Sequence, residues 1–111
     1  MPFYMLQLAY TPESFKAMIS SPSDRKAAGD KVAEAVGAKV HQFFFAFGKY
    51  DAVVIIEAPD DIAAAGAAMA VAASGGFSAG ETTKLLTSEE AMAAMKLGAK
   101  VAAAGYRPPA S

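Results

Sequence analysis

Two neighbouring segments of this chain, Lys39–Phe47 and Ala52–Ala58, carry apolar side chains on both sides, and that limits the folds open to it. The first reads Lys-Val-His-Gln-Phe-Phe-Phe-Ala-Phe. As an extended strand it points His41, Phe43, Phe45 and Phe47 one way, and Val40, Gln42, Phe44 and Ala46 the other. In the second segment Val53 and Ile55 oppose Val54 and Ile56. A strand with one wet face alternates apolar and polar residues, whereas a strand apolar on both faces is covered on both. The chain must therefore build a sheet and place a layer on each side of it.

The rest of the sequence supplies the elements. Phe3–Tyr10 reads as a strand stopped by Thr11-Pro12, with Thr11 a good N-cap and Pro12 suited to the first helical position. Phe15, Met18 and Ile19 recur at helical spacing, and "SSPSD" interrupts that helix. A fresh start with Ser21 as cap and Asp24 reaching back leads into the stripe Ala28, Val32, Ala35 and Val36. Gly37 is placed to end the helix in the left-handed region. Gly48–Asp51 joins the two doubly apolar strands as a hairpin. Pro59 is expected at the first position of the next helix, with Asp60 and Asp61 in its first turn, and that helix is mostly alanine up to Ser74. Phe77–Leu86 reads as a fourth strand weakened by Gly80, and Thr87-Ser88-Glu89-Glu90 as a capping box opening a last helix to about Ala104.

The order is βαββαβ with an extra C-terminal helix. Right-handed crossovers fold that order into a four-stranded antiparallel sheet with helices on one face, an α+β, ferredoxin-like arrangement. At 111 residues the chain is expected to form a single domain over residues 1–105, with a tail at 106–111.

Helices on one face leave the other open. Four strands of about seven residues give a face of roughly 20 by 20 Å, as large as the biggest apolar patch on ordinary monomers. Charged residues are 19% of the chain, below the usual quarter, which fits a surface facing a partner. The last helix carries Met92, Met95 and Ala99 on one stripe and Leu97 and Val101 on another side, so it has two apolar surfaces to satisfy. A homodimer packed sheet to sheet, or a larger assembly of dimers, meets both demands. The alternative is a monomer whose last helix folds across its own sheet.

Composition excludes several classes. A formal net charge of -1 gives no footprint for nucleic acid. With no cysteine and one histidine, His41, disulfides and multi-histidine metal centres are out of reach, and no metal or cofactor is expected. "MPFYMLQLAY" lacks the basic start and long apolar core of a signal peptide, and no apolar run approaches the roughly 18 residues of a membrane span. A cytoplasmic location and no membrane partner are the expectation.

The stretch "GAKVHQFFFAFGKYDAVVIIEAPDD", with "YTPE" upstream and "ET…LTSEE" downstream, resembles the GYD domain family. The Gly-x-Tyr-Asp signature is Gly48, Tyr50 and Asp51 here. The resemblance runs to about residue 92 and implies the dimeric α/β-barrel superfamily, whose members include haem enzymes and small cofactor-free monooxygenases and isomerases.

Each candidate residue has a structural reading beside a chemical one. Gly48 can supply a positive φ, Asp51 can accept bonds from turn amides, and Tyr50 can lie over the sheet edge; chemically, Tyr50 and Asp51 could exchange a proton. Asp60 and Asp61 suit the positive end of a helix. Glu57 ends an otherwise apolar strand, and a carboxylate enclosed between subunits could act as a base. His41 could pack beside aromatics or move protons. The candidate set is His41 and Glu57 for catalysis, and Gln7, Phe43, Phe45 and Tyr50 for ligand binding. Two classes stay open: a module that binds a small hydrophobic ligand or assembles with itself, and a cofactor-free enzyme acting on a small aromatic or hydrophobic substrate.

Overall fold

The computed structural model describes residues 1–110. Along the chain run β1 (Phe3–Tyr10), α1 (Pro12–Ser20), α2 (Arg25–Ala35), β2 (Lys39–Phe45), β3 (Ala52–Glu57), α3 (Asp61–Ala73), β4 (Phe77–Leu85) and α4 (Ser88–Ala103). Ser111, the last residue of the expected tail, lies outside the described residues.

Capping chemistry sets most of the boundaries. The Thr11 hydroxyl accepts the Ser14 amide at 3.1 Å and Pro12 opens α1. α2 does not start at Ser21: Asp24 is its N-cap, and its carboxylate accepts the amides of Lys26 and Ala27. A carboxylate capping two amides outdoes a hydroxyl three residues back. At the far end Gly37 takes φ 73°, its amide bonds to Glu34 O, and the Ala38 amide reaches Ala33 O. That pair of bonds satisfies two carbonyls the helix would otherwise orphan, and it needs the left-handed glycine. Pro59 lies outside α3. Asp60 is the cap, accepting the Ala63 amide at 2.8 Å. Thr87 and Glu90 form the reciprocal box at the start of α4, and its hydrogen bonds hold the Glu90 carboxyl below its ordinary range.

The four strands form one sheet in the order β2-β3-β1-β4, with every neighbour antiparallel. This is the ferredoxin-like α+β topology expected from the element order. Tyr4, Leu6, Val54, Ile56 and Val40 point to the helix side and form the core with Ala33, Ala38, Ala58 and Ala64. Alanines from the helices, and from the residues flanking β2 and β3, bring the layers close. A second cluster sits at one end of the same side, where the Tyr10 ring meets Phe15, Phe45 and Phe77 at centroid distances of 5.4, 5.8 and 4.8 Å.

At the other end, the buried Tyr4 ring places its hydroxyl to donate to Asp61 Oδ1, which also takes Lys84 Nζ at 2.9 Å. Burial, then this bond and the charges of Asp61 and Asp60, push the Tyr4 phenol from its ordinary 10 up to about 12. The Tyr4 bond, followed by the Lys84 bond, holds the Asp61 carboxyl below its usual range. A phenol whose folded pKa is raised stabilises the fold fully below its unfolded pKa and loses that contribution as pH climbs through the folded one. The stability difference between the wild type and Tyr4→Phe should therefore be flat below pH 10 and shrink between pH 10 and 12. Urea titrations across that range check it, and a constant difference would remove the Tyr4–Asp61 bond from the account.

α4 departs from the body. Met92, Met95, Leu97 and Val101 are each more than half exposed, and none of its residues is buried. The radius of gyration is 18.0 Å, against about 13 Å for a compact chain of this length. The last helix does not fold across its own sheet. No helix among the described residues is long and apolar enough to cross a membrane.

Candidate functional site

The side of the sheet away from the helices is built in rows set by register. Lys39, Glu57, Phe3 and Leu85 form one row across β2, β3, β1 and β4. Gln42, Ile55, Met5 and Thr83 form the next, and Phe44, Val53, Gln7 and Glu81 the one after. Met5, Val53 and Ile55 are half-buried with no layer above them, and Phe44 is 57% exposed.

A β-bulge in β2 decides which residues reach this face. Val40 pairs with Ile56 and Gln42 with Ile55, so His41 is the extra residue. Strict alternation would turn either His41 or Gln42 under the helices. The bulge turns both to the open side, where a polar group keeps its water. It also reverses the expected facing of the aromatics. Phe43 and Phe45 pair with Val54 and Ala52 and lie on the helix side; Phe44 faces outward. Phe43 packs near Gly29 of α2, and Phe45 stacks on Tyr10. These two phenylalanines therefore share no wall with His41.

The bulge instead brings His41 to Glu57. His41 Nε2 lies 2.8 Å from Glu57 Oε1, and the Phe3 ring sits 5.3 Å from the imidazole. The Met1 amino group is 3.9 Å from Glu57 Oε2. Both catalytic candidates thus sit on one face within hydrogen-bond distance. A carboxylate on one ring nitrogen fixes the tautomer and orients the other nitrogen as an acceptor, the arrangement a general base requires.

Gln7 does not join them. Its row partner on β3 is Val53, four residues from Glu57, or about 13 Å along the strand. It lies beside Glu81, whose Oε2 is 3.4 Å from the Tyr50 hydroxyl. Lys49 Nζ stands 5.7 Å from the Tyr50 ring centroid. The open face therefore has two polar ends, His41–Glu57 and Gln7–Glu81–Tyr50, with Met5 and Ile55 between them and Gln42 and Thr83 flanking that row. Glu81 had no signal in the sequence, because only the β1–β4 register places it beside Gln7.

The Gly-x-Tyr-Asp turn is mostly structural. The Asp51 carboxylate accepts the Tyr10 amide at 2.9 Å, and the Asp51 amide donates to Leu8 O at 2.8 Å. Asp51 thus ties the β2–β3 hairpin to β1 and accepts from a strand amide instead of a turn amide. Gly48 is not in the left-handed region, which is occupied by Gly37, Gly75 and Gly105, and a Cβ there would meet nothing within 4 Å. The positive φ expected at Gly48 is absent because the turn closes through the Ala46–Asp51 bond without it.

These features define an α+β protein of ferredoxin-like topology with an uncovered sheet face, apolar at its centre (Met5, Val53, Ile55) and polar at two ends and at Gln42 and Thr83 on the edge strands. The GYD domain family model matches residues 4–95, a span that contains Gly48, Tyr50, Asp51 and every residue of the open-face rows, save Phe3. The chain belongs to the GYD domain family. No curated protein and no solved structure matches it.

Proposed function

We propose that this GYD-domain protein works as a homo-oligomer, a dimeric α/β barrel that encloses a small hydrophobic ligand between two copies of the open sheet face. The uncovered face carries this reading: Met5, Val53, Ile55 and Phe44 form an apolar layer with nothing of their own chain above it. Area supports the second copy as the cover. A stable interface buries about 800 Å² on each partner. The sheet face of roughly 20 by 20 Å supplies about half of that. α4, with 16 residues and about 24 Å of length, supplies the remainder when it lies on the neighbouring copy. Its apolar side chains, exposed on its own chain, are then covered by the other copy.

A second reading has one observation in its favour. The 2.8 Å His41–Glu57 pair is the geometry of an oriented base, and a cover over the face would exclude water from it. In that case the protein is a cofactor-free enzyme. His41 takes a proton from a small aromatic or hydrophobic substrate lying along Met5 and Ile55, and Gln7 and Tyr50 position its polar end.

Native mass spectrometry of the purified protein tests the first reading. The expected spectrum shows dimers or multiples of dimers, and collisional release yields a small apolar adduct. A monomer with no adduct would overturn it. Dimers carrying no adduct would leave assembly alone as the function. His41→Ala separates the readings, since it should abolish turnover in an enzyme and spare ligand retention in a binding module.

A further inference from the structure

The helix side of the sheet is not fully closed. α2 and α3 face each other with small residues, among them Gly29 and Ala70, and a cleft of 260 Å³ remains between them over the sheet. Its floor and walls are apolar, from Leu8, Val40 and Phe43 among others. The exception that matters is Arg25 at the start of α2. Its Nε is shielded from solvent with no hydrogen-bond partner, and no ion pair among the described residues involves it. The neighbouring carboxylate, Asp24, is turned to the Lys26 and Ala27 amides at 3.0 and 3.3 Å. A shielded guanidinium donor without an acceptor costs free energy unless something supplies one.

We propose that this cleft binds a small apolar carboxylate, with its tail against Phe43, Val40 and Leu8 and its carboxylate on the Arg25 guanidinium. The chemistry is specific on both sides. An apolar wall of this kind rejects a ligand that is polar throughout, and an unpaired guanidinium selects a planar anion that can accept two parallel N–H bonds. The volume equals the share of about nine liquid waters, which suits an acid of octanoate size. The site lies on the opposite side of the sheet from the face assigned to assembly, so the two readings stand or fall separately.

Calorimetric titration with octanoate and with 1-octanol tests it, using the wild type, Arg25→Gln and Ala70→Phe. The wild type should bind octanoate more tightly than the alcohol. Arg25→Gln should weaken octanoate by about tenfold, the scale of a lost charge-assisted bond, and leave octanol unchanged. Ala70→Phe, which fills the cleft from α3, should weaken both. The oligomeric mass should be the same for the wild type and Arg25→Gln. Octanoate binding equally to the wild type and Arg25→Gln, or failing to bind the wild type at millimolar concentration, overturns the proposal. So does undiminished binding to Ala70→Phe, which would place the ligand elsewhere.

Discussion

Ile55→Glu is expected to split the assembly into single chains while each chain stays folded. Ile55 lies at the centre of the open face, between Gln42 of β2 and Met5 of β1. In an isolated chain a glutamate there reaches water and costs little. Between two packed sheets the same carboxylate is desolvated without a partner, at a cost of several kcal/mol. The dimer dissociation constant should rise by on the order of a hundredfold or more. Sedimentation equilibrium gives the mass, and far-ultraviolet circular dichroism reports the fold. A variant that stays dimeric at micromolar concentration would show that the copies do not meet through this face.

One residue along, the expected result is of another kind. Ile56→Ala should destabilise the chain itself by about 2–5 kcal/mol, the range for emptying a large aliphatic from a packed core. Ile56 is 5% exposed and pairs with Tyr4 and Val40 under the helices. Against a total stability of about 5–15 kcal/mol this is a large fraction. For a domain near this size it lowers the melting temperature by at least about 8 °C. Urea unfolding should show a lower midpoint with the slope unchanged. A loss under about 1 kcal/mol would mean that the adjoining cleft already relieves the site of packing. Ile55→Ala is the matched comparison: its effect on the isolated chain should be the smaller of the two, since no layer of its own chain rests on it.

This pair of neighbours shows where sequence reading reaches and where it stops. Both isoleucines read as covered, because the strand is apolar on both faces. Nothing local distinguishes the one under helices from the one that faces outward. In β2 the period itself misled. Strict alternation puts His41 with Phe43 and Phe45, and a single inserted residue sends them to opposite faces, as any slip of one does. The adjacent polar pair His41-Gln42, inside an otherwise apolar strand, is the one local trace of that bulge. The partnership of Gln7 with Glu81 left no trace, since it depends on a strand seventy-odd residues away.

The elements themselves were legible because their signals are local. Thr11-Pro12, Gly37 and the Thr87–Glu90 box each satisfy backbone groups within a few residues, so they can be read without knowing the fold. For Asp24 and Asp60 the sequence leaves cap and first-turn roles hard to separate, because both positions use the same residue types. The Arg25 cleft has no local signal in the sequence, since a gap between helices is a property of packing.

By itself the sequence determined the order of elements, the antiparallel topology that order permits, and the fact that two strands are too apolar for one layer of helices to satisfy. Those depend on composition, periodicity and short-range hydrogen bonding. Only the tertiary structure decided which isoleucine faces the open side, that His41 meets Glu57 and not Gln7, and that α4 stands clear of its own sheet. Each of these rests on register between strands distant in sequence, or on packing across layers, where a shift of one residue reverses the outcome.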